Sequence, residues 1–105
     1  MAEQIHVVPA ELRHAADRHR ETADYLRTVP SSHAAIQDSL DSLGPIFAGL
    51  AEAGRELLDQ RRHCYEQQAA AHADLAGGLD AVAELWIRHE QDAARKLGGL
   101  GDGVP

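Results

Sequence analysis

The sequence predicts an all-α fold: an antiparallel helical hairpin with a long second helix, which would form a four-helix bundle on dimerisation. Three observations support this prediction. The 105-residue chain is rich in alanine, leucine, glutamate, glutamine and arginine, residues that favour helices. Two long segments carry apolar residues at alternating spacings of three and four, the periodicity of one helix face. Gly44-Pro45 separates the segments, and this dipeptide stops a helix and begins a turn.

The first arm begins at Pro9, which suits the first turn of a helix because the N–H it lacks would be unpaired there anyway. Its apolar face follows the spacing of three and four and comprises Leu12, Ala16, His19, Ala23 and Leu26. Pro30 removes a backbone donor and disfavours helical geometry at Val29. The sequence therefore predicts an interruption there, and it leaves open whether this is a kink or a loop.

The second arm starts at Phe47 and repeats every ~3.5 residues, the coiled-coil period. This pattern predicts that the first arm packs against Leu50, Leu57, Cys64, Leu75 and Val82. Polar residues interrupt the pattern, so a hairpin held by it alone has little surplus stability. We therefore expect a helical partner, either a second copy of the chain or a different protein. Whether Gly77-Gly78 breaks or bends the arm is left open.

The composition indicates one small acidic domain at residues 1–100, followed by a disordered tail at residues 101–105. Ten basic residues against seventeen acidic ones give a formal net charge of −7 with neutral histidines. That balance argues against nucleic-acid binding, which requires clustered Lys and Arg. No apolar run approaches the roughly 18 residues that span a membrane. The first residues lack a basic segment followed by an apolar one, so export would need a route independent of a signal peptide.

Seven histidines and one cysteine are the candidates for chemistry. The histidines lack the His-x-x-x-His spacing with a nearby carboxylate that marks zinc sites, so surface or packing roles are favoured. Cys64 follows His63, but adjacent residues on a helix point about 100° apart and do not face each other. A structural cysteine is favoured, with an intermolecular disulfide as the alternative. We therefore expect no enzyme, no metal site and no cofactor; a tightly bound metal would revive the enzyme hypothesis.

Trp86 is the only tryptophan, and Glu90 follows it by four residues, which places both on one helix face. This spacing supports two interpretations equally. Trp86 caps the hairpin as a packing residue, or it forms an exposed recognition pair with Glu90, since aromatic side chains are enriched at recognition surfaces.

Three segments, in this order, resemble the EspC-like proteins of mycobacterial type VII secretion systems, which are relatives of the WxG helical-hairpin proteins. They are the opening "IHVVPAELRHAADRH", the mid-chain "LGPIFAGL" and the closing "WIRHEQDAARKL". The resemblance extends over residues 5 to about 100 and implies that Gly44 and Pro45 form the turn between the arms. The turn lacks the Trp-x-Gly triplet of the WxG relatives, which favours the EspC-like branch.

Type VII substrates carry an export signal near the C terminus, a tyrosine followed four residues later by Asp or Glu. The resemblance therefore implies that Trp86 and Glu90 are the signal, with tryptophan as the aromatic equivalent, read by a secretion ATPase or chaperone. It also implies a small non-enzymatic substrate or co-secreted factor, cytoplasmic before export and then secreted or at the cell surface. Such substrates generally need a helical partner.

Two alternatives stay open. The chain is a targeting partner that escorts a larger secreted effector, which co-purification with that effector would favour. Or it is an intracellular helical adaptor or regulator that never leaves the cell, which retention in the cytosol would favour.

Overall fold

The computed structural model describes residues 7–102, with side chains to residue 99, and shows a thin rod of 93 × 28 × 15 Å. Two helical arms run antiparallel along its length, and within the described residues there is no strand. The predicted all-α hairpin is confirmed.

The first arm consists of α1 (Pro9–Thr28) and α2 (His33–Asp41), joined by a single 3₁₀ turn at Val29–Ser32. Pro30 lies in the first positions of this turn, as its missing N–H requires. The backbone at Thr28, and again where α2 begins, stays in the right-handed helical region. The interruption at Pro30 is therefore a local tightening of one continuous arm and not a loop.

The turn between the arms depends on one glycine. Gly44 has a φ of 94°, a conformation that disfavours residues with a Cβ atom. Pro45 then opens a 3₁₀ turn at Pro45–Phe47, in which the Phe47 N–H donates to the Gly44 carbonyl oxygen at 3.0 Å. The structure thus places both residues of the predicted turn where the chain reverses.

The second arm is one helix, α3 (Ala48–Asp102), whose 55 residues extend over about 80 Å. The helix continues without a break through Gly77-Gly78, where the sequence leaves a break or a bend open. It also includes residues 101 and 102 of the predicted tail, while residues 103–105 lie outside the described residues.

Alanine forms the centre of the contact between the arms. Among the described residues, the buried side chains are Ala16, Ala23, Ala51, Ala69, Ala76 and Ala83. Larger half-buried residues alternate with them along both arms: Leu12, His19, Leu26 and Leu40 on the first, and Leu58, Tyr65, His72 and Leu79 on α3. Small residues at the contact let helix axes approach closely, towards the lower end of the usual range of roughly 8–10 Å.

The packing face of α3 lies one residue further along the chain than the pattern predicted. The residues expected to face the first arm are exposed: Leu50 (51%), Leu57 (65%), Leu75 (52%), Val82 (49%) and Cys64. The residues that follow them, among them Ala51, Leu58 and Ala76, make the contact instead. On the first arm, Leu12, Ala16, His19 and Leu26 do lie on the face that packs against α3. The expectation about α3 is corrected. The leucines have the higher hydropathy, but the smaller alanines beside them are the residues buried between the arms.

Candidate interaction site

The hairpin has two long edges of different character. In antiparallel helices, residues that follow a packed position lie along one edge of the pair, and residues that precede it lie along the other. The ion pair between Arg20, which follows His19, and Asp80, which follows Leu79, shows this relationship directly. The pair between Asp41 and Arg55 spans the arms along the same edge at 2.9 Å.

The first edge is charged. It carries both ion pairs between the arms that the described residues form, together with short-range pairs such as Arg62–Asp59 at 2.7 Å. The hydrogen bond that Arg20 donates to Asp80 raises the pKa of the guanidinium above its ordinary value. A shallow depression of about 230 Å³ along this edge is lined by His33, Ala34, Gln37, Arg55, Leu58, Asp59 and Arg62. Its charges are already paired within the chain, so this edge is a solvated surface.

The opposite edge is apolar and uncovered. We call it the apolar face; its residues on α3 are Leu50, Leu57, Cys64, Leu75, Val82 and Leu85, and on the first arm Val8, Ala15, Val29, Ile36 and Leu43. Six of these are large side chains at least two-fifths exposed on α3 or α2, in two groups on α3 that Arg61, Cys64 and Gln68 separate. Clusters of exposed apolar side chains mark association sites in many proteins. The apolar face therefore has the character of an association surface.

The candidates for chemistry are dispersed along the rod. Cys64 lies exposed on the apolar face, and His63 contacts Asp59 and Glu66 on its own helix at 3.6 Å. His19 and His72 meet between the arms, with their Nδ1 atoms 2.9 Å apart and their rings stacked at 5.1 Å. Within residues 7–99, no three metal-ligating side chains come together. The histidine pair is a packing contact that joins α1 to α3.

Trp86 and Glu90 are brought together as a pair. The Trp86 indole N–H donates to the Glu90 carboxylate at 3.1 Å, and the ring of His89 tilts against the indole with its centre 6.1 Å away. Trp86 is half-buried, whereas Glu90 is exposed. Trp86 therefore has features of both interpretations: it is half-buried, and its indole N–H is engaged by Glu90.

The pair marks the end of the packed hairpin. Because His72 is level with His19, the start of α1 at Pro9 is level with about residue 82 of α3. Beyond Ile87, the described side chains of α3 up to residue 99 are all exposed. Trp86 and Ile87 are thus the last half-buried residues of α3 among those described, and Glu90 lies in the exposed part of the helix that follows.

Fold and surfaces together define a helical-hairpin protein with an unpartnered apolar face and a free helical end. Residues 1–99 match the family model described as "Excreted virulence factor EspC, type VII ESX diderm". The chain belongs to this EspC family of type VII secretion-associated proteins, as the sequence motifs predicted. Within the described part of the chain, no helix has the length and hydropathy needed to cross a membrane.

Relatives of the same length occur in mycobacteria. The chain is 59% identical over 103 residues to uncharacterized proteins of Mycobacterium bovis and of two strains of Mycobacterium tuberculosis, and the match covers 98% of each chain. No solved structure matches it.

Proposed function

We propose that this protein is a small substrate or co-secreted factor of a type VII secretion system that acts by helix association and not by catalysis. It leaves the cytoplasm without a signal peptide and is recognised through Trp86 and Glu90. The observation that carries the proposal is the placement of this pair on α3, at the point where half-buried residues give way to exposed ones.

The geometry of the pair suits recognition. Packing at the end of the hairpin restrains the Trp86 ring, so little conformational entropy is lost when a receptor binds it. The hydrogen bond from the indole to Glu90 holds the carboxylate beside the ring. A secretion ATPase or chaperone would thus meet an aromatic surface and a negative charge in a fixed arrangement, on a helix exposed on all its other sides.

The apolar face supports the second half of the proposal, association with a helical partner. The six large exposed apolar side chains would make the hairpin prone to aggregate during export unless a partner covered that face. A second hairpin laid on it would complete a four-helix bundle.

The test is export from a type VII-competent host, measured in culture filtrate and in cells for the wild type, Trp86→Ala and Glu90→Ala. We expect the wild type in the filtrate and at least a tenfold loss of export for each variant at normal cellular abundance. Glu84→Ala is the matched control, because Glu84 is an exposed carboxylate on the same helix whose nearest basic partner, Arg88, is 3.9 Å away. Trp86→Phe should retain export if an aromatic side chain is what is recognised.

Two outcomes would contradict the proposal. If the wild type stays in the cells, an intracellular adaptor or regulator becomes the better assignment. If the wild type is exported and both alanine variants leave with it, Trp86 is a packing residue and the signal lies elsewhere. Export of the chain only together with a larger protein would instead favour the targeting-partner role.

A further inference from the structure

The apolar face leaves open which chain covers it, and its residues are arranged in a way that fits a second copy of the same chain. On α3 the face repeats every seven residues in two rows. One row contains Leu50, Leu57, Cys64, Ala71, Gly78 and Leu85, and the other contains Gly54, Arg61, Gln68, Leu75, Val82 and His89. Two copies of α3 laid antiparallel, with their twofold axis between Ala69 and Ala70, bring every residue of one row level with a residue of the other.

This alignment sets the two rows against each other in six level pairs. The level pairs are Leu57 with Val82, Cys64 with Leu75, Ala71 with Gln68, Leu50 with His89, Arg61 with Gly78 and Leu85 with Gly54. Arg61 therefore faces Gly78, which has open space around it, whereas Gly54 packs against Leu40 of its own chain. Large-against-small pairing is what lets two helices interdigitate without voids.

The first arm gives the same register independently. The stacked pair of His19 and His72 fixes which levels of the two arms correspond, and by that relation the proposed axis passes α1 near Thr22. Around Thr22, the first-arm residues of the apolar face also become level with one another. Ala15 lies level with Val29 of the second copy, and Val8 lies level with Ile36.

Charges on the two helices complete the match. Within the described part of the chain, neither Arg61 nor Asp74 forms an ion pair; the Arg61 guanidinium only covers the ring of Tyr65 and donates to its hydroxyl at 3.1 Å. In the aligned pair, Arg61 is level with Gly78 of the other copy, about 6 Å along the axis from Asp74. A long arginine side chain spans that distance. On the first arm, Arg18 comes within one residue of level with the exposed Tyr25 of the other copy, close enough for a cation–π arrangement.

From these matches we propose that the apolar face is a homodimer interface, in which two hairpins pack antiparallel about a twofold axis level with Thr22 and Ala69–Ala70. Leu57, Val82 and Leu75 are its main apolar contacts on either side of the axis, and Arg61 forms an ion pair with Asp74 of the other copy. The inference rests on the proposed function only in naming which helical partner that function uses. It is tested on the purified chain, apart from any secretion assay.

Thiol crosslinking measures the register between the two α3 helices directly. In the proposed dimer Cys64 is level with position 75 of the other copy, whereas the two Cys64 residues are about 16 Å apart along the axis. Leu75→Cys should therefore form a covalent dimer under mild oxidation or with a short thiol crosslinker, and the wild type should not. Leu57→Cys is the matched control, because it is an equally exposed leucine of the same face whose new thiol lies about 27 Å from Cys64 of the other copy.

Charge reversal tests the ion pair without a covalent crosslink between the copies. Sedimentation over a concentration series should show the wild type approaching twice its 11.4 kDa monomer mass. Arg61→Asp and Asp74→Arg should each weaken the dimer about tenfold, and the double variant should recover most of the loss. Circular dichroism checks that each variant keeps its helices.

Several results would overturn the dimer. They are a monomer at every concentration, a wild-type Cys64–Cys64 crosslink, which indicates parallel helices, or equal crosslinking of the two new cysteines. A monomeric chain that is still exported in a Trp86-dependent way would refute the homodimer alone and leave the proposed function standing. A chain that dimerises as described but stays in the cells would do the reverse.

Discussion

The two sides of α3 carry the same heptad spacing but differ in the size of their apolar residues. The side that packs on the first arm is built from Ala51, Ala69, Ala76 and Ala83, all buried. The neighbouring side carries leucines and a valine that stay about half exposed, although they are the residues with most to gain from burial. Fully burying a leucine contributes roughly 1.5–3 kcal/mol, and an alanine contributes far less.

This difference indicates what each side is for. Alanines allow the two arms of one chain to approach closely, although burying them contributes little hydrophobic free energy. The large side chains remain exposed in the hairpin and are available for the proposed contact with a second hairpin. A thin rod buries little apolar surface, and the proposed partner would add to its stability by covering the apolar face.

The largest expected effect comes from changing the size of two adjacent side chains, one on each side of α3. Ala76→Leu adds three carbon atoms to a position with 0% exposure, and we expect it to force the arms apart and lower the free energy of unfolding by about 1–3 kcal/mol. Leu75→Ala, one residue earlier and 52% exposed, should change it by less than ~1 kcal/mol in the single hairpin. Urea unfolding followed by circular dichroism, at a dilution that keeps the chain monomeric, measures both. A larger loss for Leu75→Ala would reverse the assignment of the two sides.

The sequence predicted the hairpin, its long second arm and the family, because periodicity and the Gly-Pro turn are local signals. It misplaced the packing face of α3 by one residue, since Leu50 and Ala51 begin stripes with the same period and hydropathy favours the leucine. On the first arm no such competition arose, because the residues that precede the packed positions there include Thr22 and Arg18 near the middle. The spacing of four residues can predict a contact between Trp86 and Glu90. It cannot predict which part of α3 is half-buried, because that depends on how the two arms align.

The turn between the arms offers a second, smaller test, in which two glycines are compared. Gly44→Ala places a Cβ atom on a backbone with a φ of 94°, so we expect a loss of about 1–2 kcal/mol in the free energy of unfolding. Gly77→Ala is the control, because Gly77 is helical with open space around it, and alanine there should stabilise the chain by roughly 0.5–1 kcal/mol. The same urea experiment reports both. Two changes of equal sign would show that the turn does not depend on the glycine.

The smallest expected effect concerns a polar contact within the packed layers, the stacked histidines His19 and His72. His72→Leu leaves the Nδ1 atom of His19 without its partner at 2.9 Å in a half-buried position, which should cost about 1 kcal/mol. Replacing both histidines with leucine removes both polar groups, and the loss should then largely disappear. Unfolding midpoints at pH 7.5 compare the variants, with the exposed His14→Leu as a control expected within ~0.5 kcal/mol of the wild type. A double variant that loses twice as much as the single one would mean that the imidazoles contribute separately, through packing on the neighbouring alanines, and not as a hydrogen-bonded pair between α1 and α3.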